Sequence, residues 1–133
     1  MMTDLTQFEE SHRHIYISAL LEMAHSDGHA DERELAYIDL QANLAGIEMH
    51  TFNDPLQDVS DYQLASLPSM LRNLLLRDAI TLAYIDEDYT ETEQAKLYEL
   101  ADRMAISRDK ITEIENWLLD YWLLMEKGEE LFS

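Results

Sequence analysis

The chain has 133 residues, 47% of them apolar, enough for one domain with a real core, so intrinsic disorder is not expected. Its formal charge of −19, from 28 Asp plus Glu against 9 Lys plus Arg, disfavours nucleic acid and anionic membrane surfaces and favours cations or a basic protein patch. With no cysteine there is no disulfide, thiolate metal site or cysteine nucleophile, and 3 glycines with 2 prolines are too few for a sandwich or barrel of short strands.

The segment from Met1 to Leu5 has neither a basic region nor an apolar run, so no signal peptide is expected, and the expected address is the cytoplasm. Thr6-Gln7-Phe8-Glu9 has the spacing of a capping box, which predicts a helix from there to about His25, stopped by Ser26-Asp27-Gly28. Asp31-Glu32-Arg33-Glu34 predicts a second start, and Gly46 its end. From 48 to 68 the pattern weakens, with turn signals at Asn53-Asp54-Pro55 and Ser66-Leu67-Pro68, and one or two short helices at most are expected.

A long helix follows from about Ser69 to Asp86. Arg77 and Asp78 interrupt its most apolar part, so no bilayer span is expected. Thr90-Glu91-Thr92-Glu93 is a third capping box, opening a helix with Leu97, Leu100, Ala101 and Met104 on one stripe. Ser107 caps a last helix over about 108–126, with Ile111, Ile114, Leu118, Tyr121 and Met125 on one side and Lys127-Gly128 as its stop.

A shift of 59 residues lays Arg13 on Arg72, Ala24 on Ala83, Asp27 on Asp86, Glu32 on Glu91, Glu34 on Glu93 and Ala42 on Ala101. The unit is a long helix, an acidic turn and a shorter helix, spanning about 7–47 and 69–106. Each hairpin alone would expose an apolar face, so the pair is expected to pack as one all-α bundle.

In both acidic turns an Asp ends one helix and a Glu follows seven residues later, in the first turn of the next. Helical side chains lean toward their own N-terminus, which aims Glu34 and Glu93 back at the turns. Asp27, Asp31 and Glu34 in one turn, with Asp86, Asp88 and Glu93 in the other, are therefore candidate ligands for a hard divalent cation. Calcium, magnesium or manganese would suit them better than zinc. Capping by itself accounts for Asp31, Glu34, Thr90 and Glu93. It does not account for Asp27 and Asp86, at the unfavourable end of a helix. An EF-hand is excluded, because its twelfth position falls on Ile38 or Leu97.

The doubled pattern, Asp27-Gly28 with Glu34 and Asp86 with Glu93, resembles the TerB-like tellurite-resistance family and the related N-terminal helical domain of membrane-anchored DnaJ proteins. The resemblance covers roughly Ser18 to Ile111. It implies an all-helical cytoplasmic domain of bacterial stress responses, with acidic clusters proposed to bind metal and no established catalysis. The chain departs from that pattern at Ser26, Ala30, Ile85, Glu87 and Tyr89.

His25 and His29 could join Asp27 and Asp31 around a transition metal, but Gly28 between them breaks the helical spacing, and solvated histidines are the simpler reading. Glu9-x-x-His12 and Glu22-x-x-His25 match the di-iron bundle motif, yet both lie on one helix, about 20 Å apart at 1.5 Å per residue. No phosphate loop, dinucleotide fingerprint or nucleophile elbow occurs, so no catalytic residue is expected, a carboxylate-based hydrolase being the residual enzymatic reading. Trp117, Tyr121 and Trp122 are expected to cover the core. An exposed tryptophan there would instead mark an anchor for a partner or a second copy.

Two functions follow as expectations. The first is a non-catalytic accessory domain that binds a divalent cation through its two acidic turns. The alternative is a metal-free interaction module, using its acidic surface or its Trp-rich last helix to hold a basic or aromatic-binding protein, or to form a homodimer.

Overall fold

The computed structural model describes residues 4–26, 31–48, 59–85 and 89–133. Every regular element among them is helical: a 3-10 turn at Leu5–Gln7, then α1 (Glu10–His25), α2 (Glu32–Leu44), α3 (Asp61–Ala65), α4 (Ser69–Ile85), α5 (Glu91–Arg103) and α6 (Asp109–Phe132). Among the described residues no helix is long and apolar enough to cross a membrane.

Local chemistry sets most helix starts. Asp31 accepts from the Arg33 amide at 2.7 Å, and Thr90 from the Glu93 amide at 3.2 Å, opening α2 and α5. Ser60 and Gln63 form a reciprocal capping box on α3. The box predicted at Thr6 does not form. Its hydroxyl donates to the Asp4 carboxylate at 2.6 Å, a charged acceptor that outcompetes an amide, and α1 starts at Glu10 instead.

The helices pack α1 on α2 and α4, and α4 on α5 and α6. Leu20, Leu71, Leu75, Leu76, Ile80 and Leu97 are fully buried at the centre. Fully burying a side chain of this size stabilises by about 1.5–3 kcal/mol.

The α1–α2 and α4–α5 pairs close with the same backbone bonds, 59 residues apart. After α2 the Ile47 amide donates to the Ala42 carbonyl at 2.9 Å, and after α5 the Ile106 amide donates to that of Ala101 at 2.9 Å. The residue that turns the chain is left-handed in both, Gly46 at φ 69° and Ala105 at φ 57°. Arg13 donates to the carbonyls of Phe8 and Ala45, while Arg72 donates to those of Leu67 and Met104. Each guanidinium thereby ties the entry of a long helix to the end of the next one.

α6 differs from its expected form in length and facing. It runs through Gly128 to Phe132, because a glycine costs a helix only about 1 kcal/mol and no left-handed turn forms there. Ile111 and Leu118 are buried and Trp122 packs against the core, but Tyr121 and Met125 face outward.

Candidate functional site

Of the six predicted cation ligands, Asp27, Asp86 and Asp88 lie outside the described residues. Asp31 is engaged in capping: the Arg33 amide and side chain hold its carboxyl below the usual carboxylate range. Glu34 from α2 and Glu93 from α5 do reach one place, a cavity of about 40 Å³ that Met23, Leu82 and Lys96 also line. A lysine therefore lines the pocket together with the two acidic residues. Among the described residues, no three His, Asp or Glu side chains gather as a metal-binding group.

A second cluster lies inside the bundle. Asp78 on α4 is fully buried, and its carboxylate accepts from the hydroxyls of Tyr16 on α1 and of Tyr37 on α2, the latter at 2.6 Å. Arg77 adds Nε at 3.0 Å, and the Gln41 amide lies 3.3 Å from the Tyr16 hydroxyl. Burial pushes the Tyr16 and Tyr37 phenols well above their ordinary value, and the neighbouring Asp78 charge pushes them further. Three donor side chains answer the carboxylate's lone pairs, as a polar group taken out of water requires. The network cross-links three helices. Its trace in the sequence was the Arg77-Asp78 step inside an apolar helix, here a site of burial rather than an interruption.

The third feature is the outer side of α6. Ile114, Trp117, Tyr121, Leu124, Gly128 and Leu131 follow one another at spacings of three and four, a single seam along the helix. Trp117 is 54% exposed, Leu124 62% and Leu131 75%. Trp117 and Tyr121, one turn apart, stack with centroids 5.6 Å apart at 14°. At the start of the seam Ile114 and Trp117 of α6 and Met70 and Leu74 of α4 line a groove of about 540 Å³, together with the charged Arg77, Lys110 and Glu113. No family model, curated protein or solved structure matches this chain. The seam must be read from its own geometry.

Trp122, on the neighbouring face, shows what holds α6 in place. It meets Tyr84 of α4 edge-on, centroids 5.6 Å apart, and Tyr84 stacks on Tyr89 at 4.7 Å. Burial raises the Tyr84 and Tyr89 phenols, and the Glu115 carboxylate of α6 adds to both shifts. One tryptophan thus secures α6 while the other projects outward. The sequence reading that both cover the core is corrected for Trp117: α4 meets the Ile111–Leu118–Trp122 side of α6, which turns the other seam to the surface.

Proposed function

We propose that this chain is a non-catalytic interaction domain that binds a partner protein along the outer seam of α6. The observation that carries the reading is the exposed line Trp117, Tyr121 and Leu124, resumed beyond Gly128 at Leu131. Exposed apolar residues scattered singly need no explanation, but a contiguous line along one helix, with a groove at its start, has the form of a docking surface. A stacked aromatic pair in fixed geometry loses little entropy on binding and serves as an anchor.

The underlying fold is read as two related hairpins carrying α6 as an added arm, an arrangement similar to TerB-like accessory domains of the cytoplasm. The paired Arg13 and Arg72 bonds and the matching helix closures support that reading. A second function, divalent cation binding at the acidic turns, draws support from the meeting of Glu34 and Glu93 at one pocket. Titration of chelator-treated protein with calcium, magnesium and manganese in about 0.15 M salt tests it. Saturable heat lost in the Glu34→Gln, Glu93→Gln double variant is the expected sign, and equal weak uptake by both proteins removes the reading.

For the docking surface, a photo-cross-linking residue at Leu124 is compared in cells with one at Leu40, an exposed leucine of α2. The expected result is a discrete protein adduct from position 124 alone. Adducts from both positions, or from neither, would overturn it. Leu124→Glu should leave the thermal midpoint unmoved, since exposed sites away from special features change stability by no more than about 0.5 kcal/mol.

A further inference from the structure

We infer that the occupant of the α6 seam is an amphipathic helix of a partner protein, with cationic residues flanking its apolar stripe. The inference rests on the docking reading above and names the partner class. The alternating three–four spacing from Ile114 to Leu131 matches the period at which one helix meets another, and it sustains contact over about 26 Å at 1.5 Å per residue. A strand or an extended peptide has no such repeat. The groove at the proximal end, with Met70, Leu74, Ile114 and Trp117 as its apolar walls, takes a large side chain from the incoming helix.

Charge selects among the helices that could fit. α6 carries seven acidic residues against two basic ones, Lys110 and Lys127. Along one edge of the seam Glu113 and Asp120 are followed by Lys127, and Glu126, Glu129 and Glu130 surround its far end. Glu113 pairs with Lys110 of its own helix only at 4.0 Å, and with 69% of its side chain exposed it can turn from that weak pair to a facing cation. A partner helix flanked by Lys or Arg is drawn in, whereas an acidic one is repelled. The same argument disfavours a second copy, which would bring an identical acidic edge and another −19 charges to the interface. An anionic membrane surface is disfavoured for the same reason.

The test titrates the full chain with three synthetic peptides in about 0.15 M salt, by calorimetry. One has a three-heptad leucine seam with lysine flanks, one the same seam with glutamate flanks, and one the lysine composition scrambled so that no seam forms. Saturable binding of the first is expected, about tenfold or more tighter than either control, and weakened at least about tenfold by Leu124→Glu. Equal binding of the glutamate peptide overturns the cationic class, and equal binding of the scrambled peptide reduces the effect to diffuse charge. A two-chain assembly in sedimentation that Leu124→Glu dissolves assigns the seam to a second copy. If no peptide binds while position 124 still cross-links a protein in cells, the partner class is wrong and the docking surface stands. Loss of both removes both.

Discussion

The α1–α2 half and the α4–α5 half close with the same bonds yet carry different chemistry where they meet. On one side Tyr37 of α2 donates to the fully buried Asp78 of α4 at 2.6 Å, in a polar knot with Tyr16. The positions 59 residues away are Lys96 on α5 and Ala19 on α1. They line a pocket of about 90 Å³ whose wall includes Glu22, Glu99 and Arg103. Arg103 there pairs with Glu22 at 3.2 Å and with Asp61 at 2.7 Å. One meeting place is centred on a buried carboxylate fixed by hydrogen bonds, while the other is held by partly exposed ion pairs. Matching backbone closures therefore leave the interior free to diverge, and a buried carboxylate survives only where several donors surround it.

The sharpest way to break this contrast is Asp78→Ala, which turns the knot into its counterpart at Ala19. The two phenols and Arg77 lose their acceptor, and breaking a buried charged network costs about 3–5 kcal/mol. Urea unfolding followed by far-UV circular dichroism should show a large fall in midpoint. The triple variant Asp78→Leu, Tyr16→Phe, Tyr37→Phe should regain most of the loss, because apolar groups of similar size often replace a buried polar cluster without penalty. Arg77, 28% exposed, can then turn to water. A single variant within about 1 kcal/mol of the parent would show that the knot contributes little.

Alkaline pH tests the same knot from the proton side. Tyr16 and Tyr37 have folded pKa values raised above the ordinary 10.0. A raised folded value means stability is complete below pH 10 and is lost as pH climbs toward the folded values, since only the unfolded chain releases these protons. Each phenol removes about 1.4 kcal/mol per pH unit above 10. The urea midpoint should begin to fall near pH 10, and Tyr16→Phe with Tyr37→Phe should flatten that slope. An unchanged slope in the double variant would place the alkaline sensitivity elsewhere.

The arginine clamps, by contrast, should respond alike. Arg13→Ala and Arg72→Ala each remove two charge-assisted bonds to carbonyls, and a loss of about 2 kcal/mol is expected from either in urea unfolding. A cost confined to one of them would mean that the two hairpins are not energetically equivalent at this point.

What the sequence could disclose followed the range of the interaction. The starts of α2 and α5 were legible because Asp31 and Thr90 bond amides two or three residues away. The true start of α1 was hidden because the charged Asp4 takes both the amide and the hydroxyl of Thr6. Asp78 was visible only as an oddity, its tyrosine partners lying 62 and 41 residues away. In α6 two apolar stripes, Ile111–Leu118–Trp122 and Trp117–Tyr121–Leu124, interleave at the same helical period. Periodicity cannot say which one α4 will cover. The carboxylates were legible as neighbours of the turns, and Lys96 as a helical neighbour of Glu93, but not their meeting with Glu34, which needs α2 and α5 both to pack on α4.

The smallest effect separates the hairpins at one atom. Gly46 and Ala105 both hold left-handed φ, a conformation that costs a residue with a Cβ about 1–2 kcal/mol. Ala105 is exposed, so removing its methyl group opens no cavity. Ala105→Gly relieves the strain but gives the unfolded chain extra freedom, worth about 0.4–1 kcal/mol in the other direction. The net expectation is a gain of about 0.5 kcal/mol, read as a small rise in urea midpoint at unchanged slope. Gly46→Ala runs the other way and further. It adds the left-handed cost and sets a Cβ 3.3 Å from Nη1 of Arg13, which must shift from the Ala45 carbonyl that it clamps. The two exchanges should therefore be unequal as well as opposite. Equal and opposite shifts would mean that the arginine yields freely, and that the first clamp is looser than its bonds suggest.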